Sequence, residues 1–247
     1  MNIMNRNYNI IGDIHGRTCW KELVQEDCVN IFVGDYFDPY DGIQFEELMQ
    51  NFREIMAFKQ AHPETILLYG NHDMHYLIDS ERASRYDRSH AAAIRQAFTD
   101  NKQLFQGVAY AINDTILVTH AGVTREWYEK EFGAYNGEKP SVVAEDINDL
   151  WAHNKVEFTF NANATSWSDM YGESPTHSPM WIRPWTLAEH NLFAGTPYKQ
   201  IFGHTQIDDI TTIDDNLVCV DCLGTIVKSV CLQNGICPTN SNRCHMG

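Results

Sequence analysis

The chain has 247 residues, 43% of them hydrophobic, and a formal net charge of −15. This is enough apolar material for one sizeable core, while the acidic balance disfavours stable binding to a long polyanion such as a nucleic acid. No apolar run approaches the roughly 18 residues of a membrane span, and the start of the chain lacks the apolar stretch of a secretion signal. Its seven cysteines are an odd number in a chain too long to need disulfide bonds. We therefore predict a single soluble, cytoplasmic domain over residues 1–247 with reduced thiols.

Short apolar, β-branched runs recur along the chain, and each one stops abruptly at polar residues. They predict buried strands at 8–11, 29–33, 65–69, 115–118 and 200–202. Helical periodicity lies between them, at 18–28, 45–61 and 90–105. This alternation of strand and helix indicates an α/β fold. After residue 207 the pattern is of strands alone, with hairpin turns predicted at 214–216 and 233–235.

Residues 123–200 have weak periodicity and contain five of the six tryptophans: Trp127, Trp151, Trp167, Trp181 and Trp185. We predict that this segment is a cap-like insertion within the domain. Its tryptophans are expected to form a small satellite core, with a substrate-facing wall as the alternative for some of them. Residues 238–247 are expected to be a loose tail.

Each predicted strand ends in side chains that can bind a metal ion. The blocks are Gly-Asp-Ile-His-Gly at 12–16, Gly-Asp-Tyr-Phe-Asp at 34–38, Gly-Asn-His-Asp at 70–73, Thr-His-Ala-Gly at 119–122 and Gly-His-Thr at 203–205. Sites in open α/β sheets collect beyond the carboxyl ends of strands, so blocks distant in sequence can converge. Nitrogen and oxygen ligands without thiolate suit Mn, Fe or Zn, and a carboxylate can bridge two such ions in a hydrolytic site. A two-metal centre is therefore predicted.

These five blocks, in this order and spacing, resemble the calcineurin-like metallophosphoesterase superfamily. In detail they are similar to its phosphoprotein phosphatase branch and to the related bacterial diadenosine tetraphosphatases. The resemblance covers residues 12–205. It implies a four-layer sandwich of two mixed β-sheets flanked by helices, with the active site at the strand ends and residues 123–200 partly covering it.

The resemblance also implies a ligand set for two divalent cations, with Mn expected to serve in vitro and Fe or Zn as alternatives. The first ion is expected on Asp13, His15 and Asp35, and the second on Asp35, Asn71, His120 and His204. Asp35 would thus bridge the pair. A common superfamily pattern has another histidine where this chain has Gln206. Either water completes the shell of the first ion, or Gln206 contributes its carbonyl oxygen.

His72 directly follows the expected ligand Asn71, and adjacent side chains cannot easily face the same ion. The resemblance makes His72 the general acid that protonates the leaving alkoxide. A hydrogen bond from His72 to Asp38 is expected to favour the charged imidazole and to fix the ring. In the implied reaction a metal-bridging hydroxide attacks in line, and no covalent phosphoenzyme forms.

Arginine commonly binds phosphate in such sites because its planar guanidinium matches two oxygens. The phosphoprotein phosphatase signature has an arginine directly after the position of Asp38, but this chain has Pro39 and then Tyr40. This difference weakens the expectation of protein substrates. Arg17 and Arg183 are the candidate replacements, and for each the alternative is a surface salt bridge or a contact within the cap.

Three further polar residues near these blocks are assigned lesser roles. His75 is expected to be hydrogen-bonded rather than a ligand, and Asp73 to make local hydrogen bonds. Asp221 follows a strand near the site but is not expected to be a ligand.

The leading expectation is a metal-dependent hydrolase of phosphate monoesters, acting on a small molecule, a nucleotide or a phosphoprotein. The alternative within enzymes is hydrolysis of a dinucleoside polyphosphate or a phosphodiester. The alternative of another class is a catalytically silent metal-binding scaffold.

Overall fold

The structure is a computed structural model that describes residues 6–40, 42–78, 82, 84–163, 169 and 171–235. Trp167 and the predicted tail at 238–247 lie outside the described residues. No helix in these ranges is long and apolar enough to cross a membrane. Four cysteines in the described part of the chain are free thiols, as predicted: Cys19, Cys28, Cys219 and Cys222.

The described strands, in chain order, are β1 (Asn7–Ile11), β2 (Cys28–Phe32), β3 (Ile66–Leu67), β4 (Ala109–Ile112), β5 (Ile116–Thr119), β6 (Lys199–Phe202), β7 (Thr211–Asp214), β8 (Leu217–Cys219) and β9 (Val230–Leu232). They form two mixed sheets, in the orders β3-β2-β1-β9 and β4-β5-β6-β8-β7. β1, β2 and β3 run parallel to one another, as do β5, β6 and β8, while the edge strands β9, β4 and β7 pair antiparallel with β1, β5 and β8. The two-sheet α/β architecture predicted from the sequence is confirmed.

The helices, in chain order, are α1 (Trp20–Leu23), α2 (Phe45–Ala61), α3 (Asn71–Leu77), α4 (Ala91–Asn101), α5 (Arg125–Phe132), α6 (Pro140–His153), α7 (Phe160–Asn163) and α8 (Pro184–His190). Two 3₁₀ turns, Lys102–Leu104 and Lys155–Phe158, continue α4 and follow α6. α2 has the bounds predicted from its periodicity. The sequence did not predict β4, α3 or the helices between 123 and 190.

Successive residues of a strand face opposite sides of its sheet, and this alternation divides the core. In β2, Ile31 faces the space between the two sheets, whereas Phe32 belongs to the cluster formed with the helices. In β5, Val118 and Leu117 divide in the same way. Apolar side chains of both sheets therefore fill the middle of the molecule, and helices cover the outer faces, giving four layers.

The predicted helix at 18–28 is wrong for most of its length, because α1 ends at Leu23. The side chain of Asn30 accepts a hydrogen bond from Gln25 N (3.1 Å) and donates one to Gln25 O (2.9 Å). These bonds hold the chain in a turn directly before β2, so the helix cannot continue.

Residues 123–200 include the crossover between the parallel neighbours β5 and β6. The side chain of Gln200 bonds to both Val123 N (2.7 Å) and Val123 O (2.9 Å), which joins the two ends of the segment. Trp127, Trp151 and Trp181 are buried in the same cluster as aromatic residues of the first half of the chain, so they do not form a separate satellite core. The segment is built onto the domain by helix packing, with α6 against β4 and β5.

Candidate active site

The five polar blocks meet at one edge of the two sheets, beyond the carboxyl ends of parallel strands. Asp13 and His15 follow β1, Asp35 and Asp38 follow β2, Asn71 and His72 begin α3 after β3, His120 follows β5, and His204 follows β6. In this cluster Asp13, Asp35 and His120 offer ligand atoms that all lie within 4.8 Å of one another. The structure thus brings together side chains that are up to 191 positions apart.

Asp35 lies at the centre of the cluster. Its Oδ2 atom is 3.4 Å from His15 Nε2 and 3.6 Å from His120 Nε2. Its other oxygen, Oδ1, accepts a hydrogen bond of 2.9 Å from His72 N, which fixes the carboxylate plane. One carboxylate oxygen therefore lies within 3.6 Å of a nitrogen of each of two histidines, as expected for a bridging carboxylate.

His120 and His204 are oriented by backbone carbonyl groups. His120 Nδ1 donates to Val33 O (3.0 Å), and His204 Nε2 donates to Trp181 O (3.1 Å). A carbonyl oxygen can only accept, so in a neutral ring the other nitrogen carries the lone pair. Burial lowers the pKa of His120 to about 3 and the pKa of His204 well below its usual value. Their lone-pair nitrogens lie 2.8 Å and 3.0 Å from Asn71 Oδ1.

His15 follows the same rule on the other side of the cluster. Its Nδ1 donates to Phe37 O at 3.0 Å, so its Nε2 lone pair faces Asp35 Oδ2. Burial, and secondarily the neighbouring His72, lower the pKa of His15 well below its usual value. Three neutral imidazoles thus direct nitrogen lone pairs at oxygen atoms that can only accept. Such lone pairs repel one another, and a cation bound between them would make the arrangement favourable.

The carboxyl groups of the site are crowded and buried. Burial, followed by the nearby charges of Asp221 and Asp35, raises the pKa of Asp13 well above its usual value. Burial and then Asp73 do the same for the pKa of Asp35. Burial also raises the pKa of Asp221 to about 6, although Arg17 opposes the shift. Clustered carboxylates with raised pKa values are the environment that a bound cation stabilises.

The backbone of the site is held in an unusual conformation. His15, Asp35, Asp38 and His204 all have left-handed φ values, between 44° and 69°. Such a conformation costs a non-glycine residue about 1–3 kcal/mol and persists where the surrounding structure imposes it. The glycine before Asn71 is required for a different reason, because a Cβ atom at Gly70 would overlap Asp35 Oδ1.

Asp73 holds the loop that carries Asp35. Its carboxylate accepts hydrogen bonds from the backbone N–H groups of Asp35 (2.8 Å), Tyr36 (2.9 Å) and Gly70 (2.8 Å). Burial raises its pKa to about 7 even though these three bonds act in the opposite direction. The local hydrogen bonding expected of Asp73 is confirmed, and its effect is to fix the bend after β2.

His72 belongs to a network centred on Asp38. Asp38 Oδ2 accepts from His72 Nδ1 at 2.9 Å and lies 2.5 Å from His75 Nε2, while Tyr76 donates its hydroxyl to Asp38 Oδ1. Burial alone would raise the pKa of Asp38, but the bonds from His72 and His75 outweigh it. Burial lowers the pKa of His72 to about 4, so the opposing effect of Asp38 has the expected sign and is the smaller one. His75 is partnered by Asp38, as expected.

Arg183 lies beside the six expected ligands, on the side of His204. Its Nη1 donates to Thr205 Oγ1 (3.1 Å), and its Nε donates to Tyr171 O (2.6 Å). Burial lowers its pKa, and its charge lowers the pKa of His204. The guanidinium is therefore a positive group at the edge of the ligand cluster.

Arg17 and Gln206 differ in their relation to the cluster. Arg17 Cζ lies 5.8 Å from the centre of the Tyr40 ring, and the charge of Arg17 partly offsets the effect of burial, which raises the pKa of Asp221. Gln206 is exposed, and its Nε2 atom lies 3.5 Å from Thr225 Oγ1. Among the described contacts, Gln206 does not join those of the six expected ligands.

Sequence reasoning did not predict that Arg85 and Tyr40 contact residues of the site. Arg85 Nη2 lies 3.1 Å from His72 Nε2, and its Cζ atom lies 3.6 Å from the centre of the Tyr40 ring. Tyr40 is 54% exposed, and its ring also makes an edge contact with His15. Arg85 lies outside all five sequence blocks, so no motif could have identified it.

The fold and this site define a class of protein: an α/β two-sheet sandwich with a buried nitrogen and oxygen ligand cluster at the strand ends. The family model for calcineurin-like phosphoesterases matches residues 8–208. The chain therefore belongs to the calcineurin-like phosphoesterase family, a family of metal-dependent phosphoester hydrolases.

One solved structure that this chain is similar to is described as a protein serine/threonine phosphatase from Saccharomyces cerevisiae with similarity to human phosphatase PP5. The two share 17% sequence identity with a TM-score of 0.49, over 88% of this chain and 67% of that chain. None of the curated protein sequences compared matches this chain.

Proposed function

We propose that this chain hydrolyses phosphate monoesters with two divalent cations. The observation that supports this most directly is the convergence of three histidine lone pairs on the oxygens of Asp35 and Asn71 in a buried cluster. Membership of the calcineurin-like phosphoesterase family gives the class of reaction. The use of two ions and the choice of monoesters are the proposed parts.

The donor set fits such ions. Its atoms are imidazole nitrogens and carboxylate or amide oxygens, which suit Mn, Fe and Zn. Asp13, His15 and Asp35 would hold one ion, and Asp35, Asn71, His120 and His204 the other. When bound, two cations of this kind neutralise phosphoryl oxygens and acidify a water molecule for attack on phosphorus.

His72 and Asp38 would act on the leaving group. Asp38 holds the imidazole through Nδ1, which turns Nε2 away from Asp38. As the bond between phosphorus and the ester oxygen breaks and the oxygen of water adds to phosphorus, His72, after taking up a proton from solvent at Nε2, would deliver that proton to the departing oxygen. Asp38 would then neutralise the charge of the imidazolium while it carries that proton.

Arg183 and Arg17 would bind the substrate's phosphoryl oxygens from the rim of the site. Segment 123–200 contributes Arg183 and also Trp181, whose carbonyl orients His204. We therefore propose that this segment is a cap that both supports the second ion and covers part of the substrate. The substrate itself would be a phosphorylated small molecule, a nucleotide or a phosphoprotein, and the location in the cytoplasm stays a prediction.

The test is hydrolysis of p-nitrophenyl phosphate by the purified full chain in Mn²⁺, before and after complete chelation. Bis(p-nitrophenyl) phosphate and diadenosine tetraphosphate are assayed beside it. We expect the monoester to be the best of the three substrates, and chelation to abolish its turnover. Faster turnover of the diester or the tetraphosphate would replace the monoester assignment with that substrate class.

Stoichiometry is measured separately by metal analysis of the dialysed protein, with two ions per chain expected. Bound metal without turnover of any of the three substrates would favour the silent scaffold. Turnover that survives complete removal of metal would refute the proposed use of cations.

A further inference from the structure

Arg85 is held against the acid–base pair of the site. Its Nη2 lies 3.1 Å from His72 Nε2, and its Nε donates to Asp38 O at 3.1 Å. The face of the Tyr40 ring lies against its guanidinium, with 3.6 Å between Cζ and the ring centre. One arginine thus contacts both members of the His72–Asp38 pair and an exposed aromatic ring beside them.

The direction of the Arg85–His72 hydrogen bond is fixed by chemistry. A guanidinium can only donate, so His72 Nε2 accepts, and His72 Nδ1 carries the proton that it donates to Asp38. Nε2 is the nitrogen that faces a departing oxygen in the proposed function. The Arg85 Nη2 atom therefore occupies the position that the departing oxygen would take beside His72 Nε2. When the substrate oxygen takes this position, it lies within reach of the Arg85 guanidinium.

The segment that carries Arg85 is anchored by aromatic packing. The Tyr86 ring stacks on Tyr76, with centroids 5.2 Å apart and an interplanar angle of 25°. Asp87 N donates to the Tyr76 hydroxyl at 3.0 Å, and that hydroxyl in turn donates to Asp38. Arg85 itself has a left-handed φ of 63°, a conformation that persists where neighbouring contacts impose it. The side chain is positioned by the fold while remaining partly exposed.

Arg85 and Arg183 contact different residues of the site. Arg183 bonds to Thr205, next to His204, whereas Arg85 bonds to His72. A phosphate ester held between them would have its leaving oxygen on the Arg85 side. Negative charge develops on that oxygen as its bond to phosphorus breaks, and a fixed guanidinium there stabilises the charge.

We propose that Arg85 is a catalytic residue that binds the phosphate ester on its leaving-group side, next to the oxygen that receives the proton from His72. This inference rests on the proposed function and adds to it the residue that recognises the leaving group. Tyr40 holds the guanidinium in place through its ring face and acts as a positioning residue.

The test compares Arg85→Ala and Arg85→Lys with Arg88→Ala, which removes an exposed arginine of the same segment. Each variant is assayed in Mn²⁺ with p-nitrophenyl phosphate and with phenyl phosphate, whose leaving group is the more basic. We expect Arg85→Ala to lower kcat/KM by about 100-fold for p-nitrophenyl phosphate and by a larger factor for phenyl phosphate. Arg85→Lys should recover part of the loss, and Arg88→Ala should behave as the unmodified protein.

Two further measurements separate substrate binding from a structural role. Free guanidinium ion added to Arg85→Ala should restore part of the turnover, and inorganic phosphate should bind more weakly to the metal-loaded variant in calorimetry. An equal loss for both esters, without rescue and with unchanged phosphate binding, would overturn the proposal. The inference would also be overturned if Arg85→Ala matched Arg88→Ala.

The calorimetric measurement does not depend on turnover. If the unmodified chain binds metal and phosphate but hydrolyses no ester, the proposed function fails. The change in phosphate affinity between Arg85→Ala and Arg88→Ala still decides whether Arg85 contacts the anion.

Discussion

The cluster of proposed metal ligands and the proposed leaving-group side of the site are built in opposite ways. Each proposed ligand of the cluster lies within four residues after the end of a β-strand, so its position is set by the sheets. On the leaving-group side, Arg85 comes from the connection between α3 and α4, and its position depends on aromatic and hydrogen-bond contacts. In the proposed mechanism the cluster would hold the metal ions, and Arg85 would contact the leaving group.

The largest effect is expected from Asp35→Asn. The substitution keeps an acceptor for His72 N but removes the charge that lies between His15 and His120. We expect activity to fall by about 1,000-fold or more, together with loss of Mn²⁺ binding in calorimetry.

Asp114→Asn is the matched control, because Asp114 is an exposed carboxylate paired with Lys139. If Asp35→Asn kept two tightly bound ions and full activity, Asp35 would not be the bridge.

A smaller loss of activity is expected from His72→Asn. His72 lies between the cluster of proposed ligands and Arg85. The side chain no longer supplies a proton, so kcat should fall by about 100-fold or more. Metal content should stay the same, since His72 is directed at Asp38 and Arg85 rather than at the ligand cluster. The control is His153→Asn at an exposed histidine, and activity equal to that of the control would remove His72 from the acid role.

Arg183→Ala tests the contribution of segment 123–200 to substrate binding. Loss of the guanidinium beside Thr205 removes a donor to phosphate while leaving the ligands of both ions in place. We expect kcat/KM for p-nitrophenyl phosphate to fall by about ten- to a hundredfold, with metal content unchanged. Arg125→Ala is the control, because Arg125 pairs with Glu129 on α5. Loss of metal from Arg183→Ala would instead indicate that the cap supports the cluster through this residue.

The smallest effect concerns the stability of the protein after its metal has been removed. Burial raises the folded-state pKa of Asp73 to about 7 and that of Asp221 to about 6, both from an unfolded value of 3.8. A raised folded-state pKa gives stability that is present below the unfolded value and is lost as pH rises through the folded value.

Above pH 6.5, where the buried histidines are neutral in both the folded and the unfolded chain, the free energy of unfolding of the chelated chain should therefore decrease as the pH rises to 8, by an amount on the order of 1 kcal/mol. Urea unfolding at several pH values measures it, with Asp221→Asn expected to reduce the slope. A free energy of unfolding that rises with pH in this window would contradict the raised pKa values of Asp73 and Asp221.

Local sequence was sufficient for most of the framework because short-range rules govern it. The bounds of α2 follow from its periodicity and from the capping box of Gln44 and Glu47. α1 was overestimated because a single side chain, Asn30, ends it through a contact from the next strand. The tryptophans were expected to form a separate core, but they belong to one cluster with residues of the first half of the chain, as the contact of Trp151 with Tyr69 shows, and periodicity cannot reveal such contacts.

The amino-acid sequence by itself determined the kinds of ligand, their order and their place at the strand ends, because a motif after a strand is a local feature. Tertiary structure decided which nitrogen of each histidine faces the cluster, since Val33, Phe37 and Trp181 supply the carbonyls that orient the rings. It also decided that Arg85 stands beside His72, because stacking of Tyr86 on Tyr76 brings a connecting segment to the site. Contacts of this kind depend on how distant segments pack, and no local pattern encodes them.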